Sequence, residues 1–150
     1  MERDVMEYDV LVVGAGPAGL SAAIKFAQLN KKNNTNHSIC VIEKGSEVGA
    51  HILSGNVFEP TALNELIPDW KEKEAPLETP VKKDVVKYLI NKNISIPVPF
   101  PGTFMPNFNN HGNYIMSLAN FCRWLAKEAE SLGVEIFPGF TASEVIIEND

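Results

Sequence analysis

Three closely spaced glycines, Gly14, Gly16 and Gly19, constrain this chain more than any other feature. They follow a β-branched run at residues 8–13 and precede a helical pattern, with Pro17 where a missing N–H costs nothing. Gly14 permits a tight exit from the strand, Gly16 lets the backbone approach a pyrophosphate, and Gly19 lets the helix pack closely on the sheet. The helix N-terminus adds free N–H groups and a positive dipole end. The pattern predicts a turn that binds the diphosphate of a dinucleotide.

The turn opens a predicted βαβ unit, whose crossover should be right-handed. We expect the first strand to be a central parallel strand buried on both faces, and the first helix to end near Asn30. The second strand, at residues 38–43, ends on Glu43, whose carboxylate can accept hydrogen bonds from ribose hydroxyls and would repel a 2′-phosphate. The alternative is a turn without a ligand and a solvated Glu43. The order strand, turn, helix, strand and acid favours the dinucleotide site.

The rest of the chain alternates helical and strand-like patterns. The sequence predicts a short helix at 60–67, an exposed excursion at 69–80, a hairpin with strands 85–90 and 94–96, a long loop at 97–113, a helix at 117–132 ended by Gly133, and strands at 134–137 and 141–147. The final residues resemble the start of a turn, so we expect the domain to be incomplete at its C-terminus.

Composition limits the classes of function. With 150 residues and 45% hydrophobic content, the chain has the size and core of one domain. A net charge of −6 argues against a broad surface for nucleic acid. Cys40 and Cys122 lie in apolar patterns without metal or disulfide spacing, so we predict small buried side chains and no metal site. No apolar run approaches the roughly 20 residues that span a bilayer, so any membrane contact should be peripheral. No catalytic acid or base is assigned.

The form of the motif favours FAD over NAD. Residues 14–23, followed by 41–44, resemble the FAD-binding N-termini of glutathione-reductase-type flavoproteins, and a glycine-rich crossing at 45–55 follows the second strand. We therefore predict an α/β, Rossmann-like FAD-binding domain with an added β-hairpin or antiparallel excursion. The candidate cofactor-binding residues lie in the turn, at the end of the second strand and in the crossing: Val13, Gly14, Gly16, Pro17, Ala18, Gly19, Glu43, Lys44, Gly49, Ala50, His51, Ser54 and Gly55.

We divide the domain, residues 1–150, into three parts. Residues 8–43 form the dinucleotide-binding unit, 44–116 the flavin-side loops and an insertion, and 117–150 a helix and strands. In the second part, the backbone N–H groups of Ser54 and Gly55 can reach the flavin. His51 either tunes the flavin potential or packs within its loop, and the sequence leaves both interpretations open.

Longer blocks of sequence resemble the electron transfer flavoprotein–ubiquinone oxidoreductase family. They are residues 43–55, 59–60, 64–73, 75–77, 109–115 and 132–140. Two places depart from the family. The proline-rich loop at 97–109 diverges in detail, and Ser117 stands where some relatives carry Arg, so we assign no phosphate-binding arginine to that helix.

The resemblance implies FAD, a C-terminal 4Fe-4S cluster, electron transfer flavoprotein as donor and ubiquinone as acceptor. It also implies an N-terminal fragment that is inactive by itself, because the quinone cavity and the cluster ligands lie outside this chain. The implied location is peripheral, on the cytoplasmic face of a bacterial inner membrane, or at the mitochondrial inner membrane in a eukaryote. The apolar segment 48–67 is either core or a membrane contact.

Two alternatives remain open at this point. One is another FAD oxidoreductase of the same superfold, such as a geranylgeranyl-reductase-like or FixC-like dehydrogenase. The other is a non-catalytic FAD-binding fragment. A four-cysteine cluster motif in any downstream sequence would favour the electron transfer flavoprotein–ubiquinone oxidoreductase family over the first alternative.

Overall fold

The computed structural model describes residues 5–98 and 109–147. In chain order, the elements of these residues are β1 (Val10–Val13), α1 (Pro17–Asn33), β2 (Ile39–Glu43), β3 (Asn56–Phe58), α2 (Thr61–Leu66), β4 (Thr79–Pro80), β5 (Lys87–Asn91), β6 (Ile94–Pro97), β7 (Tyr114–Met116), α3 (Leu118–Ser131) and β8 (Glu135–Pro138). None of the helices among them is long and apolar enough to cross a membrane.

A parallel sheet in the order β1-β2-β8 forms the centre of the fold. Val12, Val41 and Ile136 lie in register across its three strands. Val41 is buried in the main core, and the other two pack partly buried against it. Helices α1 and α3 also pack against each other within that core. Their apolar stripes supply much of this core, including Leu20, Ile24, Phe121 and Leu125. The predicted βαβ unit and the predicted second long helix are confirmed.

The prediction that β1 is a central strand buried on both faces is wrong. In the described part of the chain β1 lies at the edge of the sheet, and the side chains of Leu11 and Val13 are 57% and 64% exposed. The cause is that the core of α1 and α3 includes Val10 and Val12, which lie on the opposite side of the strand. A parallel strand normally has cover on both sides.

Helix α1 ends at Asn33, three residues beyond the predicted end near Asn30. Lys31 and Lys32 are good helix formers and interact favourably with the negative end of the helix dipole. Asn34 then ends the helix in a left-handed conformation, with φ of 54°. Gly133 ends α3 in the same way, as predicted, with φ of 88°.

The antiparallel parts are small. Strands β3, β7 and β4 form one sheet, and β5 and β6 form the predicted hairpin. The prediction of an exposed excursion at 69–80 is wrong in part, because Trp70, Ala75 and Leu77 are buried. The Trp70 indole N–H donates to Asn64 Oδ1 at 2.7 Å, which satisfies the polar end of this side chain in the core.

One of the two remaining predicted regions has a different structure, and the other lies mostly outside the described residues. The strand predicted at 141–147 does not form, and Val145, Ile146 and Ile147 are exposed, since no described strand pairs with this segment. The loop predicted at 97–113 falls largely on residues 99–108, which lie outside the described residues.

The segment 48–67 belongs mainly to the core. Val48, Leu63 and Ile67 are buried, and Ile52, Phe58 and Leu66 pack partly buried against the same core. The exposed large apolar side chains in this segment are Leu53, at 91%, and Val57, at 47%. Of the two interpretations of this segment, core burial accounts for most of its apolar side chains, and Leu53 and Val57 are the large ones that stay exposed.

Candidate dinucleotide site

The glycine turn joins β1 to α1 in the geometry that the motif predicts. Gly14 has φ of 102°, a conformation that favours glycine, and its N–H donates to Ile42 O of β2 at 2.8 Å. A Cβ on Gly19 would overlap the Gly14 carbonyl group and approach the Val12 side chain. The first glycine thus makes the turn, and the third lets α1 pack against the strand that precedes it.

The N-terminus of α1 has no cap from a side chain. Its N-cap residue is Gly16, in an extended conformation, and the first turn contains no acidic residue. The first amides of a helix have no partner within the helix, so these donors and the positive dipole end are available to an anion. A Cβ on Gly16 would have no atom within 4 Å, so the approach to this end is open.

Glu43 lies at the end of β2 and faces the same turn. Its Oε1 accepts from the Gly45 N–H at 2.7 Å and its Oε2 from the Ala15 N–H at 2.9 Å. The Gly45 N–H, helped by the Ala15 N–H and by nearby His51 and Lys44, holds the pKa of this carboxyl below its usual range. A carboxylate has about four acceptor positions. Glu43 is therefore ionised, oriented, and still able to accept from two ribose hydroxyls.

The other predicted residues divide by burial. Gly49 is buried, whereas Lys44, Ala50, His51, Ser54 and Gly55 are exposed in the β2–β3 loop, residues 44–55. The structure brings Glu43 to the turn through Ala15, and it brings His51 near enough to affect the Glu43 carboxyl. It does not bring Ser54 to the turn. The Ser54 hydroxyl instead donates to Ser117 Oγ at 3.0 Å.

Sequence reasoning missed Ala15 and Gly45 as functional residues, although their amides orient Glu43. The signal for Ala15 was its place inside the glycine turn, between the first two glycines. Gly45 follows the acid by two residues, a spacing at which a side-chain oxygen often accepts from the backbone.

The donor set fits the ADP part of a dinucleotide, because free amides and a carboxylate acceptor meet at one turn. A metal has no comparable donor set. Among the residues that the structure describes, no three His, Cys, Asp or Glu side chains come together in a way that could hold one. Cys40 and Cys122 are buried, as predicted, and burial raises the pKa of the Cys122 thiol to about 11.

The chain is similar to known proteins over its whole length. Residues 12–68 match the model of the NAD(P)-binding Rossmann-like domain. The chain is 58% identical to the electron transfer flavoprotein-ubiquinone oxidoreductase of Pseudomonas aeruginosa, with 100% of the chain and 27% of that protein covered. It is 53% identical to the mitochondrial electron transfer flavoprotein-ubiquinone oxidoreductase of Oryza sativa, with 99% of the chain and 24% of that protein covered.

Solved structures show the same fold. A geranylgeranyl bacteriochlorophyll reductase-like protein from Thermoplasma acidophilum superposes on 95% of the chain with a TM-score of 0.62 and 25% identity, and 32% of that protein is covered. CtdE in complex with FAD superposes on 89% of the chain with a TM-score of 0.53 and 22% identity, and 30% of it is covered. The predicted α/β, Rossmann-like fold is therefore confirmed. The chain is homologous over its entire length to electron transfer flavoprotein-ubiquinone oxidoreductases, and it spans about one quarter of the length of each.

Proposed function

We propose that the chain is the ADP-binding part of the FAD domain in an oxidoreductase that takes electrons from electron transfer flavoprotein and passes them to ubiquinone. The observation that carries this proposal is the 58% identity over the whole chain to an oxidoreductase of that name. The FAD complex of CtdE supports FAD as the dinucleotide, since that protein shares the fold. The three-part division at residues 8–43, 44–116 and 117–150 belongs to the same proposal.

In this proposal the residues of the chain bind and orient the cofactor. The free amides at the N-terminus of α1 bind the pyrophosphate, and Glu43 accepts from the ribose hydroxyls. The exposed residues of the β2–β3 loop, with His51 and Ser54 among them, lie on the flavin side. Bound FAD supplies the electron-transfer chemistry.

The 4Fe-4S cluster of the proposed protein requires ligands from elsewhere. The chain has two cysteines, and both are buried. Cluster ligands are usually four thiolates, so this chain does not provide the site.

We propose that the protein lies peripherally on the membrane that holds ubiquinone. In a bacterium this is the cytoplasmic face of the inner membrane, and in a eukaryote it is the mitochondrial inner membrane. The hairpin β5–β6 supports a contact there, because apolar side chains are exposed along it beside Lys87 and Lys92. Lysines beside exposed apolar groups favour an anionic lipid surface. The exposed apolar side chains of the hairpin are Tyr88, Leu89, Ile90, Ile94 and Ile96. A second exposed apolar surface consists of Leu53 and Val57, from the segment 48–67.

Sedimentation with vesicles tests the membrane contact. The full-length gene product should bind vesicles with anionic lipid, and Leu89→Asp should weaken binding about tenfold. Leu53→Asp tests the second surface in the same assay. The matched control is Val145→Asp, which also charges an exposed apolar position but lies outside both surfaces. Equal binding of all variants would contradict this part of the proposal.

Enzyme assays test the central proposal. Purified full-length product, given reduced electron transfer flavoprotein and a short-chain ubiquinone, should reduce the quinone at a rate that depends on the concentration of the donor. No turnover with this donor, together with reduction of an isoprenoid double bond, would favour a geranylgeranyl-reductase-like enzyme instead. The structural similarity to the Thermoplasma acidophilum protein makes that the second candidate.

The 150-residue chain by itself tests a third possibility, a non-catalytic FAD-binding fragment. We expect a colourless product that aggregates, because one face of its sheet exposes Leu11 and Val13. A soluble yellow protein with one flavin per chain would contradict this expectation and support the fragment interpretation.

A further inference from the structure

The β2–β3 loop lies along the first two turns of α3. Arg123 Nη2 lies 3.0 Å from Glu47 Oε1, and the Ser54 hydroxyl donates to Ser117 Oγ at 3.0 Å. Both contacts join the loop to the start of the helix, one from each side of Gly49. Both are exposed at the surface and contribute little stability by themselves. They show which helix the loop follows.

Gly49 lies against the first turn of α3, between these two contacts. It is buried and has φ of 86°, and a Cβ placed on it would lie 2.9 Å from Ala119 O and 3.2 Å from Ala119 Cα. These partner atoms belong to the backbone of the first helical turn, which cannot move aside as a flexible side chain does. Any other residue at position 49 would therefore push the loop away from α3.

Helix α3 connects this contact to the phosphate-binding end of α1. The two helices pack side by side, and Phe121 and Leu125 of α3 share one core with Leu20 and Ile24 of α1. Packed helices in a core transmit displacement because the interior has little free volume. The position of the loop relative to the N-terminus of α1 is thus set across α3.

We infer that Gly49 is a positioning residue, whose contact with Ala119 fixes the distance between the pyrophosphate-binding turn and the flavin-side residues His51 and Ser54. The inference rests on the proposed binding of FAD. In this inference the backbone of α3 sets the distance between the pyrophosphate-binding turn and the flavin-side loop, and Gly49 is required for that distance.

The test compares Gly49→Ala with Gly133→Ala in the full-length gene product. Gly133 is a matched control, because its φ of 88° imposes the same backbone strain, while its Cβ would have no atom within 4 Å. FAD is the probe, and the readouts are its dissociation constant, the visible absorption spectrum of the bound flavin and its midpoint potential. We expect Gly49→Ala to weaken FAD binding at least tenfold and to shift the spectrum and the potential. Gly133→Ala should lower the melting temperature through the shared backbone strain alone and leave the flavin unchanged.

Equal flavin properties in the two variants would overturn the inference while the proposed binding of FAD still stands. A wild-type product that binds no FAD would overturn both. If Gly49→Ala does not fold, the structure of the FAD-bound wild-type product decides. We expect Gly49 to lie against Ala119 while His51 or Ser54 contacts the flavin. A loop that has moved away from Ala119, or a flavin out of reach of both side chains, would overturn the inference.

Discussion

The two long helices begin in opposite ways. At α1 the N-cap is Gly16, no side chain caps the helix, and the first turn has no acid. At α3 the N-cap is Ser117, whose side chain accepts from the Asn120 N–H. The start of α3 thus has a side-chain cap from the protein itself, whereas the start of α1 has none.

This difference has an energetic meaning. A serine, aspartate or asparagine at an N-cap stabilises a helix by about 1 kcal/mol relative to alanine, and glycine is nearly as good. Gly16 therefore costs little stability and keeps the space in front of the amides free. At α3, where the β2–β3 loop covers the helix start, a capping side chain serves stability instead. Of the two long helices, the uncapped start of α1 is therefore the one that we assign to the proposed ligand, and the capped start of α3 is the one that we assign to stability.

The largest predicted effect comes from closing the open end. Gly16→Asp in the full-length product supplies a cap and a negative charge where we expect the pyrophosphate. FAD affinity should fall at least 100-fold, about 2.7 kcal/mol, while the apoprotein should gain a few tenths of a kcal/mol. Titration calorimetry and thermal unfolding measure both. The control is Ser117→Asp at the capped end, which should leave FAD affinity unchanged, and equal affinities for all three proteins would contradict the comparison.

A tenfold effect should follow from Glu43→Gln. The amide keeps the shape of the side chain but loses the charge that strengthens hydrogen bonds from ribose hydroxyls, so FAD affinity should fall by about 1.4 kcal/mol. The same titration measures it. Glu65→Gln, an exposed change on α2, is the control and should behave like wild type. Unchanged affinity in the Glu43 variant would remove this residue from the site.

Removing the cap of α3 should affect stability. Ser117→Ala leaves the Asn120 amide without its acceptor, and the free energy of unfolding should fall by about 1 kcal/mol. Denaturant unfolding of the apoprotein measures this value. Gly16→Ser at α1 is the comparison and should change the unfolding free energy by only about a few tenths of a kcal/mol, because glycine at an N-cap is nearly as good as serine. The opposite ranking would mean that the two helix ends do not differ as described.

The smallest effect concerns pH. The lowered pKa of Glu43 means that its ionised form is favoured in the folded state, so its stabilising contribution is present above the ordinary pKa of a glutamate and is lost as the pH falls through the lower, folded value. The melting temperature of the wild-type apoprotein should exceed that of Glu43→Gln at neutral pH, and the difference should shrink below about pH 4.3. A difference that grows on acidification would contradict the assigned hydrogen bonds.

Sequence reasoning succeeded where the determinants are local. The glycine turn, the acid at the end of β2, the stripe of α3 and the hairpin β5–β6 depend on residues close together in the chain. It failed where distant segments decide. Trp70 and Leu77 are buried by elements that a run of charges and prolines does not reveal, and Leu11 is exposed because both long helices lie on one face of the sheet.

The candidate site divides in the same way. Glu43 was predictable, whereas the contact of Gly49 with Ala119 joins segments that are far apart in sequence. A strand pattern such as that of 141–147 is likewise insufficient without a partner strand, because isolated strands leave their backbone groups unpaired.

The most direct test of the central claim is the flavin content of the purified full-length product. We expect one FAD per chain, released on denaturation and identified by its absorption and mass, and no preference for NADP. A colourless product that binds NAD(P) and excludes FAD would contradict this proposal, because the open end of α1 and Glu43 would then serve a different dinucleotide.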